Sequence, residues 1–399
     1  MSERMARLVD EQLSVGVDTL VPRDELIAKL VNSEKKGVPL RIKLGIDPSA
    51  PHLTLGHSVP LRKMRQFQDL GHTGVLIVGD FTRRIGDPTG RASTRVLMSE
   101  ADIKRNIETY QEQAYKILDP QRTEIRYNSE WLGILKLEDI INLTAKYTVA
   151  RMLERDDFSK RYAEGRSISV LEFLYPLTQA YDSVAIRADV ELGGADQLFN
   201  LLVGRDIQRE YGQESQVVLT VPLLLGIDGE RAMSQTTGNY VGLNESASEI
   251  YGKVLSIPDA LIQSYFVFLT DINPDTVNDL SPRDAKRMLA RELVTMYHSA
   301  DAAAEAQEEF DRIHIRHERP TEVPQVSLDR SLVKEDGGVW IIDLLQASGL
   351  VESRSQAKRL IQQGGVKIND EKASSPELDI PFHPPVMIQV GKRGFTELV

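Results

Sequence analysis

The chain has 399 residues, a formal net charge of −11 and no cysteine, with 41% hydrophobic and 27% charged residues. This length and composition predict a globular protein of two to three domains, and the lack of thiols excludes disulfides, cysteine-based zinc sites and thiolate catalysis. The acidic total argues against indiscriminate coating of nucleic acid, although a local basic face would still allow an RNA partner. Residues 1–10 carry no signal-like apolar run, and no stretch of about 18 apolar residues occurs, so we expect a soluble cytoplasmic protein with no membrane partner.

The first clear elements are two short apolar strands with a helix between them. Residues 41–47 (RIKLGID) and 74–80 (GVLIVGD) end at polar turns, as is typical of strands buried on both faces of a parallel sheet. Between them the sequence predicts a helix with Pro60 in its first turn and a stop at Gly71. Strand, helix and strand form one right-handed crossover unit.

Similar patterns continue through the first two-thirds of the chain. We predict strands at 217–225 and around Val190, and helices near 101–117 and 198–211. The predicted fold class is therefore α/β, with a doubly wound, Rossmann-like parallel sheet in residues 1–245. Residues 246–320 follow a helical pattern, and the proline-containing segment 321–336 shows no periodicity and is interpreted as a linker.

The last segment, residues 337–399, is predicted to be a separate small α+β unit. Ser353 is placed to cap a helix that runs to about Gln363, and a strand is expected at 366–369. Basic residues recur on this helix at one-turn spacing and continue into the strand. The candidate RNA-binding residues are Arg354, Lys358, Arg359 and Lys367. A solvated helix face is the alternative interpretation.

The loop at 45–57 (GIDPSAPHLTLGH) leaves a strand and enters a helix. Free N–H groups and the helix dipole favour phosphate at such a helix start. Gly56 permits close backbone approach there, and His57 can donate to a phosphate oxygen. A capped turn with a structural histidine is the alternative for a lone Gly-His pair.

Three further clusters follow predicted strands or share one helix face. Asp87 lies in the turn 86–90 (GDPTG), after Arg83 and Arg84. Steps of four and three residues place Tyr175, Gln179 and Asp182 on one helix face, although a solvent-facing polar surface is the plainer explanation. The segment 193–197 (GGADQ) adds Gly194, Asp196 and Gln197. All these clusters fall where an α/β sheet forms its ligand crevice.

Several of these motifs resemble those of one family. The loop at 45–57 resembles the HIGH signature of class I aminoacyl-tRNA synthetases, and YPLTQAYD and LGGADQ look like the tyrosine-binding segments of bacterial tyrosyl-tRNA synthetases. LRKMRQFQDLGH, IGDPTG and GQESQVVLTVPLL are also similar to that family, and the carboxy-terminal unit resembles its small RNA-binding domain, shared with a ribosomal small-subunit protein. The likeness runs from about Val9 to Val399.

This resemblance implies a homodimeric tyrosine–tRNA ligase that activates L-tyrosine with ATP and then esterifies tRNA(Tyr). It implies dimerisation helices inserted in residues 1–245, a tRNA-binding helical domain at 246–320, and magnesium carried with the nucleotide but no tightly bound cofactor or protein-held metal. The implied substrate-binding residues are Lys43, Asp87, Tyr175, Gln179, Asp182 and Gln197, with Asp182 on the phenolic hydroxyl. The implied ATP-binding residues are Asp47, Gly56, His57, Gly194, Asp196 and Arg231. The implied catalytic residues are Thr54, His57, Arg231, Met233 and Ser234.

Two departures from the family pattern bear on the phosphates. Thr54 stands where the first histidine of HIGH is expected, and the loop usually written KMSKS reads AMSQT at 232–236, without either lysine. Arg231, one place earlier, is the predicted substitute cation. A relative that binds tyrosine or RNA but activates poorly is the alternative hypothesis, and activation of another aromatic amino acid is a third, against which Asp182 argues.

Overall fold

A computed structural model describes residues 1–47, 52–87, 109–316, 318–321, 323–391 and 394–399. Parts of two predicted features, the helix near 101–117 and the turn at 86–90, lie outside these residues, as do positions 48–51 of the first loop. The chain divides into two compact units, Met1–Tyr297 and His298–Val399. No helix among the described residues is long and apolar enough to cross a membrane.

The first unit is built around a six-stranded sheet. Its strands are β1 (Thr19–Val21), β2 (Arg41–Ile46), β3 (Thr73–Val78), β4 (Thr123–Tyr127), β5 (Val190–Gly194) and β6 (Val217–Val221). Their order is β1-β6-β5-β2-β3-β4, and every neighbouring pair is parallel except β1 with β6. The order reverses between β2 and β5, so a ligand crevice is expected beyond their carboxyl ends. The predicted doubly wound α/β fold is confirmed.

Helices cover both faces of this sheet. They are α1 (Ser2–Leu8), α2 (Arg23–Lys36), α3 (Leu55–Asp69), α4 (Thr82–Ile85), α5 (Ser129–Leu132), α6 (Leu137–Thr144), α7 (Val149–Met152), α8 (Asp156–Ala163), α9 (Val170–Ile186), α10 (Leu198–Glu210), α11 (Ala247–Leu255), α12 (Ile262–Leu269) and α13 (Pro282–Tyr297). Residues 109–114 are also helical, a π-helix spans Val9–Leu13, and short 3-10 helices lie at Pro120–Arg122, Ala195–Gln197, Asp259–Leu261 and Pro274–Val277. Helices α9 and α10 pack together through Leu177, Ala180, Val184, Val203 and Ile207.

Helix α3 begins at Leu55, earlier than a helix with Pro60 in its first turn would begin. Thr54 is its N-cap, and the His57 side chain accepts from the backbone N–H of Thr54, which completes a capping box. Pro60 consequently lies inside the helix, so the prediction that it occupies the first turn was wrong. The early start brings the helix terminus and His57 to the edge of the sheet.

The second unit contains two small sheets and three helices. Its elements are α14 (Ala300–His314), β7 (Gln325–Val326), a 3-10 helix (Arg330–Leu332), β8 (Gly338–Trp340), α15 (Ile341–Ala347), α16 (Arg354–Gln362), β9 (Val366–Ile368), β10 (Glu371–Lys372), β11 (Asp379–Pro381), β12 (Val386–Val390) and β13 (Gly394–Leu398). The sheet orders are β10-β9-β12-β13-β7 and β11-β8. As predicted, Ser353 caps α16, and its hydroxyl accepts from the N–H of Gln356.

The observed units differ from the predicted boundaries. The helical region predicted for 246–320 is divided, with α11–α13 in the first unit and α14 in the second. The segment expected to be a linker, 321–336, supplies β7, which pairs in parallel with β13. A strand of two residues has no readable alternation, and its partner lies some 70 positions later in the chain, so local sequence patterns do not reveal it.

Candidate active site

A cavity of about 380 Å³ opens at the carboxyl ends of β2, β3 and β5, at the point where the strand order reverses. Its volume lies within the range of small-molecule sites. It brings together predicted residues from five separate segments of the chain. Those that line it are Asp47, Thr54, Gly56, His57, Asp87, Tyr175, Gln179, Asp182, Gly194, Asp196, Gln197 and Met233.

Asp182 is a buried hydrogen-bond acceptor on α9 and is only 4% exposed. Trp131 Nε1 donates to its Oδ1 at 2.7 Å, and Asn128 Nδ2 lies 3.4 Å from its Oδ2. Burial raises the pKa of Asp182 to about 7, against the opposing pull of the Lys43 charge and of these two donors. The second carboxylate oxygen is thus available to accept from a ligand hydroxyl.

Asp47 and Tyr175 form a second polar group, at the end of β2. The Tyr175 hydroxyl donates to Asp47 Oδ2 at 3.0 Å, and the Thr82 hydroxyl donates to Oδ1 at 3.2 Å. Burial first, and then the Asp47 charge, raises the pKa of Tyr175 well above its usual value, so the phenol stays neutral. Gly79 makes room for this group, because a Cβ there would stand 2.2 Å from Asp47 Oδ1.

Asp87 and Gln197 meet in another part of the cavity wall. Gln197 Nε2 donates to Asp87 Oδ2 at 2.9 Å, and the guanidinium of Arg155 lies 3.8 Å from Oδ1. Arg155 is only 6% exposed, and Asp157 also holds it at 2.7 Å. Gln197 Nε2 also donates to Oδ2 of Asp196 at 3.3 Å. The carboxylates of Asp87 and Asp196 therefore share one amide donor, and a ligand cation could bind beside them.

His57 is held through one ring nitrogen by Thr54. Its Nδ1 accepts from the Thr54 backbone N–H at 3.2 Å and lies 2.9 Å from the Thr54 hydroxyl. Burial lowers the pKa of His57 to about 4, so the ring is neutral at pH 7. Since Nδ1 is the acceptor, the proton is on Nε2, which is then a donor. Thr54 thus fixes the tautomer of His57.

Lys43 does not line the cavity, in contrast to its predicted place among the substrate-binding residues. Its side chain is fully buried, and Nζ lies 2.8 Å from Glu191 Oε1. It also donates to the carbonyl of Gln179 at 2.9 Å and to the Ser183 hydroxyl at 2.8 Å. All three ammonium protons are used within the protein, so Lys43 has none left for a ligand.

Arg231 and Ser234 are likewise not among the residues that line the cavity. The Arg231 side chain is 65% exposed and lies 3.5 Å from Asp228. Asn239 instead organises the loop: its Oδ1 accepts from the N–H of Ser234 at 2.9 Å, and its Nδ2 donates to Asp228 at 2.9 Å. Gln235 donates to the carbonyl of His52, which joins this loop to the loop that precedes α3.

The four predicted RNA-binding residues lie in the second unit, and all are exposed. Arg354 and Lys358 project from α16 over the ring of Trp340, with their charged groups 5.6 and 5.9 Å from its centre. Such cation–π contacts hold long side chains in place. The guanidinium of Arg354 is also paired with Asp343 at 3.1 Å. Arg359 lies beside them on the same helix, and Lys367 on β9.

Sequence reasoning missed four residues that support the site. Asn128 and Trp131 position Asp182, Arg155 supports Asp87, and Glu191 pairs with Lys43. Asn128 could have been found, since it directly follows β4 at the same edge of the sheet as the other motifs. The other three show no local pattern that would single them out.

Among the described residues, no group of three or more His, Asp or Glu is arranged to hold a metal ion.

Comparison with known proteins identifies the family to which the chain belongs. The family described as tRNA synthetases class I (W and Y) matches residues 35–314, and the S4 domain matches residues 339–381. The tyrosine–tRNA ligase of Carboxydothermus hydrogenoformans is 49% identical over 98% of this chain and 97% of its own. That of Geobacter sulfurreducens is 51% identical over 96% of each.

Solved structures share the fold at much lower identity. A C-terminally truncated mitochondrial tyrosyl-tRNA synthetase of Coccidioides posadasii is 24% identical, with a TM-score of 0.61 over 77% of this chain and 95% of that one. The tyrosyl-tRNA synthetase of Archaeoglobus fulgidus, solved with L-tyrosine, is 19% identical, with a TM-score of 0.59 over 77% of this chain and 99% of that one. At these identities the likeness establishes the fold alone. The family match and the near full-length relatives establish more: the chain belongs to the class I tRNA synthetases, among the tyrosine–tRNA ligases.

Proposed function

We propose that this protein is a tyrosine–tRNA ligase that converts L-tyrosine and ATP into tyrosyl-adenylate and then transfers the tyrosyl group to tRNA(Tyr). The observation that carries the proposal is Asp182, a buried acceptor inside an amino-acid-sized cavity, with Asp87, Gln179 and Tyr175 also in its wall. A phenolic hydroxyl satisfies Asp182, whereas a side chain without a hydroxyl leaves it without that partner. The names of the near full-length relatives support the same function.

The ammonium group of tyrosine is assigned to the acidic side of the cavity. Asp87 supplies a carboxylate, and Gln179 and Tyr175 supply oxygen atoms on the same helix as Asp182. Gln197 is assigned to the region of the substrate carboxylate, next to Asp87. These groups hold the amino-acid end of the ligand and Asp182 its phenolic end, and positioning is the main requirement of the reaction.

Activation is an in-line displacement at phosphorus. A carboxylate oxygen of tyrosine bonds to the α-phosphorus of ATP, and the bond to the departing pyrophosphate breaks. His57 Nε2–H and the amino terminus of α3 are the donors assigned to the phosphates, with Gly56 allowing close approach. Asp47, Gly194 and Asp196 are assigned to the rest of the nucleotide. Class I tRNA synthetases use ATP with magnesium, and the ion arrives with the phosphates.

In the second step, a terminal ribose hydroxyl of tRNA attacks the activated carbonyl and releases AMP. The exposed basic residues of the second unit are assigned to RNA binding. The match to the S4 domain at residues 339–381 supports this assignment, because it contains all four candidate RNA-binding residues: three on α16 and one on β9. Phosphate contacts of this kind make binding depend on salt concentration.

A homodimer is part of the proposal. Segment 134–149 exposes large apolar side chains that a monomer would leave in water: Ile134 is 75% exposed, Leu137 76%, Ile141 57% and Val149 60%. Leu137 and Ile141 lie one turn apart on α6 and therefore share a face. Clustered exposed apolar groups are typical of an interface.

Tyrosine-dependent exchange between ATP and pyrophosphate, measured on the purified protein, tests the first step. Exchange that requires tyrosine is the expected result, and charging of tRNA(Tyr) should follow. Tyrosine binding without exchange would instead favour the relative with lost activation, an alternative that the names of the relatives do not favour. Exchange driven equally well by phenylalanine would contradict the role of Asp182.

A further inference from the structure

Beneath the cavity lies a buried ion pair to which the proposed reaction assigns no step. Lys43 and Glu191 are register partners on the parallel strands β2 and β5, with side chains 0% and 1% exposed. Two charges removed this completely from water are tolerated only when hydrogen bonds satisfy them. The groups that form hydrogen bonds with Lys43 and Glu191 therefore indicate which part of the structure the ion pair holds in place.

The partners of the pair lie on α9, the helix that carries the amino-acid site. Lys43 donates to the Gln179 carbonyl at 2.9 Å and to the Ser183 hydroxyl at 2.8 Å. Glu191 accepts from Gln179 Nε2 at 3.3 Å and from the Ser183 hydroxyl at 3.2 Å. Gln216 also donates to Glu191, from the neighbouring strand side. Gln179 is thus held by both its backbone and its side chain.

The strand geometry places the pair next to the ligand. Alternate residues of a strand share a face, so Lys43 lies on the same face as Gly45, and Glu191 on the same face as Gly193. Both glycines line the cavity, and a Cβ added at Gly45 would meet no atom within 4 Å. Gly45 leaves this space open, and the two charged residues lie two positions earlier on the same face of their strands.

We propose that Lys43 and Glu191 are positioning residues that orient the Gln179 amide towards the ligand's ammonium group. An ionised carboxylate only accepts hydrogen bonds, so Glu191 draws the NH₂ of Gln179 and turns the amide oxygen towards the cavity. Without Glu191 the amide could rotate by half a turn and present donors to a cation. Lys43 pairs with Glu191 and fixes the helix backbone at Gln179, whose carbonyl accepts from its ammonium group. This inference rests on the proposed function, because it takes the ammonium of tyrosine as the ligand group.

The test compares two ligands that differ only in that group: L-tyrosine, and desaminotyrosine, which carries hydrogen in place of the ammonium. Calorimetry would give both dissociation constants for the parent and for the double variant Lys43→Met/Glu191→Gln. Removing both charges together avoids leaving one buried ion without its partner, so the fold should survive. Lys63→Met is the matched control, because Lys63 is also a buried lysine, bonded to the carbonyls of Leu13 and Val15.

In the double variant, tyrosine affinity should fall about tenfold to hundredfold, the range expected for a hydrogen bond to a charged group. The affinity for desaminotyrosine should stay close to that of the parent. In a Gln179→Leu background the double substitution should add little further loss, since both changes act through one amide. Lys63→Met should leave the ratio of the two affinities unchanged.

A folded double variant that keeps the parent's preference for tyrosine would overturn the inference, as would an equal loss of both ligands. A parent that binds both ligands equally would count instead against the proposed function. Should the double variant not fold, Lys43→Gln/Glu191→Gln, which also removes both charges together but keeps a polar group at each position, carries the same comparison. An unchanged ratio in that variant would also overturn the inference.

Discussion

Asp182→Asn is the change that most directly tests how the site selects its substrate. The substitution preserves shape, and the new amide oxygen can still accept from Trp131, whose Nε1 lies 2.7 Å from Oδ1. The amide NH₂ then faces the NH₂ of Asn128, donor against donor, and no longer accepts from the ligand hydroxyl. At a pH above about 7, where Asp182 is ionised, the loss of a charged acceptor corresponds to about 1.5–3 kcal/mol, or roughly tenfold to hundredfold in kcat/KM for tyrosine relative to phenylalanine.

Pyrophosphate exchange with each amino acid measures that ratio. Asp189→Asn is the matched control, because Asp189 accepts from the backbone N–H of Arg41 at 2.9 Å but is not among the residues that line the cavity. We expect it to leave the ratio unchanged. A folded Asp182→Asn variant with the parent's selectivity would refute the assignment of Asp182 to the phenolic hydroxyl.

The same variant has an expected signature in stability. Between pH 3.8 and about 7, folded Asp182 holds a proton that the unfolded chain has released. Its contribution to the free energy of unfolding therefore falls as the pH rises through this range, by about 4 kcal/mol in all, and Asp182→Asn removes that fall. His57 acts with the opposite sign: its pKa is lowered from 6.5 to about 4, so its contribution rises with pH between these values. Denaturant titrations at several pH values should therefore be compared as the free energy of unfolding of Asp182→Asn minus that of the parent, because His57 is present in both proteins and its contribution cancels.

Three further outcomes are expected. Arg231→Ala should change the rate of activation little, because the Arg231 side chain is 65% exposed beside Asp228. Ala232→Lys with Gln235→Lys should instead raise the single-turnover rate of adenylate formation. A strong loss of rate in Arg231→Ala would mean that the loop moves onto the phosphates. Removal of His298–Val399, the whole second unit, should leave pyrophosphate exchange largely intact and abolish efficient charging of tRNA, and unchanged charging would contradict the RNA-binding role. Light scattering should give twice the 44.7 kDa mass of one chain. Leu137→Glu should shift the measured mass towards that of the monomer. A parent protein that is monomeric at micromolar concentration would count against the dimer.

The correct sequence predictions share one property, which is that their signal is local. The runs at 41–47 and 74–80 are short, rich in β-branched and other apolar residues, and end at polar turns, and this local pattern is enough to recognise strands of a parallel sheet. The spacing of Tyr175, Gln179 and Asp182 follows from helical periodicity, and all three line the cavity. The prediction that Pro60 lies in the first turn of α3 was wrong because proline near a helix start is a common signal, while a capping box formed by threonine and histidine is not.

The sequence by itself determined the fold class and the edge of the sheet at which the site lies, because periodicity and strand-end turns depend on neighbours only a few residues apart. Only the tertiary structure decided that Lys43 forms an ion pair with Glu191 rather than binding a ligand, and that Trp131 and Asn128 donate hydrogen bonds to Asp182. These partners lie 51 to 148 positions apart in the chain, and a hydrogen bond forms between whichever groups packing brings within about 3 Å. No spacing in the sequence predicts these contacts, so the side chains that position the site could be identified only in the folded molecule.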